Sequence, residues 1–184
     1  AGMYNNLLKG NDPALVVECL NGYRKKEKMP SNLSEMVVPI GVAEVVKVGS
    51  DITVVSYGST LHMCLSAADE LANMGISVEV VDAQTLLPFD TTGVSASSVQ
   101  KTNRLVVIDE DVEGGASAYL LDQIINKQGA FNYLDAQPIT ITSKPHLPAY
   151  STDGDYFSKP SVDDIVEAIY AVMSEGNPAR FPKI

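Results

Sequence analysis

The chain has 184 residues, of which 45% are hydrophobic, and its 23 acidic and 13 basic side chains give a net charge of −10. A chain of this length can bury about 70% of its unfolded surface, which is enough for one substantial core. The negative charge argues against nucleic acid or an anionic membrane as a partner and favours a basic one. No apolar run approaches the ~18 residues of a membrane span, and the first residues lack the order of a secretory signal, so we expect a cytoplasmic protein.

Residues 1–43 differ from the rest of the chain. Pro13–Cys19 is an apolar stretch that predicts a strand, and the basic, proline-containing residues after it predict a linker. One strand is not stable without neighbouring strands. We therefore predict that residues 1–43 are the end of another sheet plus a linker, and that residues 44–184 form one domain.

From Val45 onward, predicted strands and helices alternate. The predicted strands are Ile52–Tyr57, Val78–Val81, Arg104–Asp109 and Ile139–Thr142. The predicted helices are 59–75, 90–101, 116–127 and one that begins at the capping box Ser161–Asp164. Such alternation requires right-handed crossovers and helices on both faces of the sheet. The sequence therefore predicts a three-layer α/β/α sandwich with a mostly parallel sheet.

The stretch Asp82–Asp90 turns the chain from a strand into a helix. Pro88 continues neither a strand ladder nor a helix, and Asp90 is of the residue type that caps a helix. We assign no catalytic role to the acids of this corner. We expect its apolar side chains to pack at a domain or subunit interface: Leu86, Leu87 and Phe89.

Two other strand-to-helix corners are polar. Ser56–Thr60 has hydroxyl and N–H groups suited to a phosphate, although an N-cap at Ser59 explains the same residues. Asp109–Ser117 contains four acids and two glycines without the G-x-G-x-x-G order. A carboxylate repels a phosphate 4 Å away by about 4 kcal/mol at a dielectric near 20, whereas a helix N-terminus attracts it by about 0.3–2 kcal/mol. We expect this acidic corner to exclude phosphate and to face a basic partner or its own helix.

His146 is a weak candidate for acid–base catalysis. It follows a predicted strand, at the edge where open α/β sheets bind ligands. The sequence supplies no nucleophile or orienting partner for it, so an exposed loop histidine is the competing interpretation. The two cysteines, Cys19 and Cys64, are far apart and form no C-x-x-C, so neither a zinc site nor a disulfide is indicated.

Four stretches, taken in order, resemble one family: Asp82–Asp90, Lys101–Val107, the acidic corner and Phe131–Pro138. They are similar to the C-terminal domain of the beta subunit of 2-oxo acid dehydrogenases, the pyruvate and branched-chain enzymes of the transketolase-like superfamily. The resemblance covers essentially the whole chain. It implies a five-stranded sheet with one antiparallel edge strand, and it makes residues 1–43 the end of the pyrimidine-binding domain plus a linker.

The resemblance also implies an activity and its partners. The intact enzyme would decarboxylate a 2-oxo acid on thiamine diphosphate with Mg²⁺ and pass the acyl group to lipoyl-lysine. The cofactor site would lie in domains outside this chain, which is therefore expected to bind no cofactor or metal and to be inactive alone. The domain would support a homodimer or an alpha/beta heterotetramer. It would also dock the arginine-rich subunit-binding domain of dihydrolipoyl acyltransferase through Asp135 and the terminal carboxylate of Ile184.

Other interpretations stay open at this point. A standalone flavodoxin-like or nucleotide-binding module would use Ser56–Thr60. Another transketolase-like enzyme would need basic residues for a sugar phosphate, and the corners of this chain are acidic instead. His146–Tyr150 and residues 151–157 depart from the usual beta-subunit pattern and look more like a chain in which alpha and beta parts are fused. The substrate, pyruvate or a branched-chain 2-oxo acid, is left open as well.

Overall fold

A five-stranded sheet lies at the centre of the molecule, with its strands in the order β1-β3-β2-β4-β5. The computed structural model describes residues 1–26, 28–147, 150 and 154–183. The strands are β1 Glu44–Lys47, β2 Ile52–Ser56, β3 Val78–Asp82, β4 Leu105–Val112 and β5 Ile139–Ser143. The pairs β3–β2, β2–β4 and β4–β5 are parallel, whereas β1 pairs antiparallel with β3 at one edge. This confirms the predicted mostly parallel sheet with one antiparallel edge strand.

Helices cover both faces of the sheet. The α-helices of the described residues are α1 Gly2–Leu7, α2 Gly58–Asn73, α3 Val94–Thr102, α4 Ala116–Asp122, α5 Gly154–Ser158 and α6 Val162–Gly176. A π-helical segment, Gln123–Lys127, continues α4, and 3₁₀ turns lie at Leu20–Arg24 and Ala130–Tyr133. Helices α2 and α6 pack on one face, and α3 and α4 pack on the other. The predicted three-layer sandwich is therefore confirmed.

The alternation of side chains along the strands divides the interior into two cores. Val54 and Val106 point into the core under α2 and α6, while the next residues, Val55 and Val107, point into the core under α3 and α4. All four side chains are buried because the sheet is covered on both faces. This two-sided burial explains why these strands are apolar runs rather than alternating patterns.

The last helix begins as the sequence predicts. The Ser161 hydroxyl accepts a hydrogen bond from the Asp164 N–H at 3.1 Å, and the Asp164 carboxylate accepts one from the Ser161 N–H at 2.8 Å. Each of these groups satisfies an N–H that the helix itself leaves free. The predicted end of α2 is confirmed as well, because Gly75 adopts the left-handed conformation just after the helix.

Two predicted helix starts are wrong. Helix α3 begins at Val94 rather than at Asp90, because left-handed residues at Asp90 and Gly93 turn the chain first. The Asp90 carboxylate nevertheless caps the helix, since it accepts hydrogen bonds from the N–H groups of Val94 at 2.9 Å and Ser95 at 2.7 Å. Helix α2 begins at Gly58, so Ser59 lies inside it and is not its N-cap.

The predicted strand at Pro13–Cys19 is also wrong, since the described part of residues 1–43 contains no strand. Leu15 is 91% exposed, and among the described residues no strand pairs with this segment. Helix α1, which was not predicted, is held by side-chain amides. Asn5 donates to the carbonyl groups of Leu33 and Met36, and Asn6 donates to that of Val38.

Candidate functional site

The candidate site lies at the carboxyl ends of β2 and β4. After β2, the next strand in sequence, β3, lies on one side of β2, and the strand after that, β4, lies on the other side. Open α/β sheets bind ligands at such a switch point. The corner Ser56–Thr60 and the acidic corner Asp109–Ser117 meet here, and hydrogen bonds connect them. This is the place in the fold where a ligand of this chain is expected.

Asp109 is fully buried and has three hydrogen-bond donors. The Tyr57 hydroxyl donates to it at 2.7 Å, and the N–H groups of Asp111 and Ser117 donate at 3.0 Å and 2.9 Å. Burial raises the pKa of Tyr57, and the hydrogen bond to the Asp109 carboxylate raises it further. Because Ser117 lies in the first turn of α4, Asp109 serves its own helix, one of the two roles expected for the acidic corner.

Glu110 has its cation in the same chain. Its carboxylate accepts hydrogen bonds from the Ser59 hydroxyl and from Lys159 Nζ, the latter at 2.6 Å. Burial opposes ionisation of Glu110, but the hydrogen bonds from Lys159 and Ser59 outweigh it and lower the pKa. Lys159 also lies 3.5 Å from Asp155, and its own pKa is raised, chiefly by the hydrogen bond to Glu110. The basic partner of this acid is therefore internal.

The hydroxyl groups proposed for a phosphate are likewise occupied. Ser56 Oγ donates to the Ile108 carbonyl at 3.0 Å and lies 2.8 Å from Thr60 Oγ1, which donates to the Tyr57 carbonyl at 2.9 Å. The Glu110 carboxylate reaches Ser59 in the same corner and would repel a phosphate. A flavin or nucleotide phosphate therefore does not fit this corner.

The switch point does not fit thiamine diphosphate either. The diphosphate would meet Asp109 and Glu110 at the switch point, and both acids already have hydrogen-bond donors within the chain. Within the described residues, no group of three or more His, Cys, Asp or Glu side chains is placed to hold a metal ion. None of the helices in this part of the chain is both long and apolar enough to cross a membrane.

His146 lies on the exposed loop after β5. Its ring is 5.6 Å from the ring of Phe157, and Lys144 Nζ lies 4.1 Å from the centre of that same ring. His146 Nδ1 is 2.8 Å from the Leu147 carbonyl oxygen. Within the described residues, His146 makes no hydrogen bond to an acid of the switch point. Its catalytic role therefore stays a prediction; residues 151–153 of the following loop lie outside the described residues.

The structure separates the three apolar residues of the corner Asp82–Asp90. Phe89 is only 6% exposed and packs in the core under α3 and α4, so its side chain is part of the domain itself. Leu86 is half-buried against the same core, whereas Leu87 is 80% exposed. Leu87 and the open part of Leu86 are thus the side chains still available to an interface.

Asp135 lies on the surface and already has a cation. Its carboxylate is 2.7 Å from Arg104 Nη2. Ile184, the other residue expected to contact the acyltransferase, lies outside the described residues. Docking at both positions stays a prediction.

Sequence reasoning missed Tyr57, Lys159 and Arg104 as partners of these acids. Tyr57 is separated from Asp109 by 52 positions, and Lys159 from Glu110 by 49. One signal was present, because buried or crowded acids need counter-charges and this chain has only 13 bases. That signal predicts that partners exist but does not identify them.

Comparison with known proteins finds one matching domain family and related beta subunits of two dehydrogenases. The family model for the transketolase C-terminal domain matches residues 41–165. Pyruvate dehydrogenase E1 component subunit beta of Rhizobium meliloti is 32% identical over 172 residues, which cover 93% of the chain and 36% of that protein. The beta subunit of 2-oxoisovalerate dehydrogenase of Bacillus subtilis is 35% identical over 149 residues, which cover 80% of the chain and 44% of that protein.

The solved structure of a split-gene transketolase, an inactive beta4 tetramer, shares the fold. It aligns with a TM-score of 0.64 at 21% identity, covering 77% of this chain and 45% of that one. The chain spans between about a third and a half of the length of the beta subunits it matches. Most of residues 1–40 lie within the Rhizobium meliloti match although the domain model begins at residue 41.

Proposed function

The chain belongs to the transketolase C-terminal domain family, and from this we propose that it is the C-terminal part of a thiamine-dependent 2-oxo acid dehydrogenase. The intact enzyme decarboxylates pyruvate or a branched-chain 2-oxo acid and transfers the acyl group to lipoyl-lysine. Support comes from relatives at 32% and 35% identity that are beta subunits of pyruvate and 2-oxoisovalerate dehydrogenases. The two matches cover 93% and 80% of the chain, and they leave both substrates open.

Within that enzyme, we assign this domain to assembly rather than to chemistry. The main support for this assignment is that the acids of the switch point already have hydrogen-bond donors within the chain. Asp109 and Glu110 accept hydrogen bonds from Tyr57, Ser59 and Lys159. A site that binds and releases a substrate needs polar groups that are free to bind it. Thiamine diphosphate and Mg²⁺ are then held by domains outside this chain.

Residues 1–43 are proposed to complete a preceding domain, followed by a linker. The apolar segment Pro13–Cys19 has the composition of a buried strand, yet Leu15 is 91% exposed. Such a segment gains stability when another sheet supplies its hydrogen-bond partners and covers its side chains. The match of most of residues 1–40 to a beta subunit supports this assignment.

The assembly is proposed to be a homodimer or an alpha/beta heterotetramer in the cytoplasm. Leu87, 80% exposed beside a packed corner, suits such an interface. Docking of the acyltransferase's basic subunit-binding domain is assigned to Asp135 and the Ile184 carboxylate. The net charge of −10 and the exposure of Asp135 support a basic partner.

Two measurements test the assignment. The first compares thiamine diphosphate binding by calorimetry for this chain and for the complete enzyme, and only the complete enzyme is expected to bind. The second introduces Tyr57→Phe and Glu110→Gln into the complete enzyme and measures kcat/KM for pyruvate and for 2-oxoisovalerate. Each substitution should change kcat/KM by less than about threefold, because general acid–base groups contribute about 100-fold or more.

Two results contradict the proposal. Thiamine diphosphate binding by the 184-residue chain would place the cofactor site here. A loss of about 100-fold in kcat/KM at unchanged thermal stability would make the Tyr57 and Glu110 network catalytic. His146→Ala in the same assay tests the remaining candidate for acid–base chemistry.

A further inference from the structure

The acid assigned to partner docking is already paired inside the chain. Asp135 Oδ2 lies 2.7 Å from Arg104 Nη2, and the side chains of Asp135 and Arg104 are 47% and 15% exposed. The Asp135 carboxylate is thus the more solvent-exposed member of the pair, and the Arg104 guanidinium is the more buried one. A basic partner that approaches Asp135 meets an acid whose charge Arg104 largely compensates.

Arg104 is held in place from several sides. Its Nη1 donates to the Asp51 carbonyl at 3.2 Å and lies 3.9 Å from Met173 Sδ. Gly176, at the end of α6, leaves no spare room, because a Cβ there would lie 3.0 Å from Nη2 and 3.1 Å from Nε. The guanidinium therefore cannot swing away from Asp135 without giving up these contacts.

The surroundings of Asp135 favour an arginine as the incoming group. The backbone N–H of Asp135 donates to the Asn103 carbonyl at 2.9 Å, and Asn103 Nδ2 donates to the Tyr133 carbonyl at 2.8 Å, which fixes the loop. The side chains of Phe131 and Tyr133, on the turn just before Asp135, are exposed. A guanidinium can stack on an aromatic ring and bind a carboxylate with two N–H groups, whereas an ammonium is a point charge.

We propose that Arg104 is an intrachain competitor that sets how strongly Asp135 binds an arginine side chain of a partner. This inference rests on the proposed docking role of Asp135 and adds its regulation. An incoming arginine must share the carboxylate with Arg104 and is repelled by its charge, so a lone cation binds weakly. A segment that adds contacts to Phe131 and Tyr133 recovers affinity, and this selects partners by shape as well as by charge.

The test measures binding of a fluorescent helical peptide, rich in arginine and leucine, to the full chain by anisotropy at low salt. Arg104→Met frees Asp135 and should tighten binding about three- to fivefold, the effect of one exposed ion pair. Asp135→Asn should weaken binding, and so should replacing the peptide's arginines by lysines. Lys47→Met is the matched control, because it removes one positive charge and frees an exposed acid, Asp69, elsewhere.

The outcomes separate the two ideas. If Asp135→Asn weakens binding but Arg104→Met does not tighten it beyond the Lys47→Met control, Arg104 is no competitor and docking at Asp135 stands. If Asp135→Asn binds like the unmodified chain, docking at Asp135 is wrong, and this inference is overturned with it. If Arg104→Met does not fold, Gly176→Ala keeps every charge but displaces the guanidinium. That variant should also bind more tightly, and unchanged binding would overturn the inference.

Discussion

Residues 1–43 and residues 44–183 contain similar apolar runs but pack them in opposite ways. In the domain, Val54 and Val107 are fully buried in strands that have hydrogen-bonded neighbours on both sides. In the N-terminal segment, Leu15 and Val17 are largely exposed in a stretch that pairs with no strand of the described part of the chain. A β-branched run predicts the preference for a strand, but neighbouring strands decide whether the strand forms. The exposure of this segment is the reason for the proposal that residues 1–43 complete another domain.

The largest expected difference is between two alanine substitutions, one in each region, in their effect on the free energy of unfolding. Ile108 is a fully buried residue of β4 in the core under α2 and α6. Ile108→Ala should lower the free energy of unfolding by about 4 kcal/mol. Leu15→Ala removes a side chain that is 91% exposed and should change it by less than about 0.5 kcal/mol. Denaturant titration of both variants checks this contrast. Equal losses would mean that Leu15 packs against the domain.

The same contrast recurs within one corner of the domain. Phe89→Ala should cost about 3 kcal/mol, because Phe89 is packed in the core under α3 and α4. Leu87→Ala should leave the unfolding free energy of the chain unchanged but weaken assembly of the complete enzyme, since Leu87 is exposed. Thermal unfolding and size-exclusion chromatography measure the two effects. Unchanged assembly in Leu87→Ala would remove this residue from the interface.

An ion pair between the buried Glu79 and the half-exposed Lys101 ties the sheet to α3 and should have the next largest effect. Glu79 is buried and accepts hydrogen bonds from Lys101 Nζ and, at 3.2 Å, from the Gly49 N–H. Lys101→Met should destabilise the chain by about 2 kcal/mol at pH 7, because it leaves a buried carboxylate short of a donor. Lys47→Met is the control, since its partner Asp69 is exposed and the pair contributes under about 1 kcal/mol.

The pH dependence of the Lys101→Met effect follows from the pKa of Glu79. Burial opposes ionisation, but hydrogen bonds from Lys101, Ser98 and the Gly49 N–H outweigh it and lower the pKa below its ordinary value of 4.5. Stability from the ionised form is therefore present above pH 4.5 and is lost as the pH falls through the lowered pKa. The gap between the unmodified chain and Lys101→Met should shrink over this acidic range. Denaturation at a series of pH values measures it, and a constant gap would contradict the assignment.

Removal of residues 1–40 should have the smallest effect on the domain. The truncation keeps Gly41, whose carbonyl accepts hydrogen bonds from the Thr91 N–H at 2.7 Å and from its hydroxyl at 2.9 Å. The unfolding free energy of the rest should change by less than about 1 kcal/mol. Removal of residues 1–43 is the matched control and should cost more, because it also deletes Ala43 from the core. Circular dichroism during heating distinguishes the two truncations.

Most of the domain could be predicted because its signals are local. Apolar periodicity located β2–β5 and helices α2, α3, α4 and α6, and the Ser161 capping box and Gly75 marked two helix ends through contacts within a few residues. Asp90 was recognised as a capping acid, but its turn through Gly93 shifted the start of α3 by four residues. The strand at Pro13–Cys19 failed for the opposite reason, since a strand needs hydrogen-bonded neighbours and none pairs with this segment among the described residues.

The sequence alone determined the layer architecture, the order of its elements and the motifs that resemble the dehydrogenase family. Only the tertiary structure decided which acids are available. Asp109 and Glu110 receive donors 52 and 49 positions away, and Asp135 pairs with Arg104 at a separation of 31 positions. These partners meet because the order of the strands brings distant segments together, at the carboxyl ends of β2 and β4 for Asp109 and Glu110 and at the amino ends of β4 and β5 for Asp135. Local periodicity encodes strands and helices, but it does not encode which of their ends become neighbours.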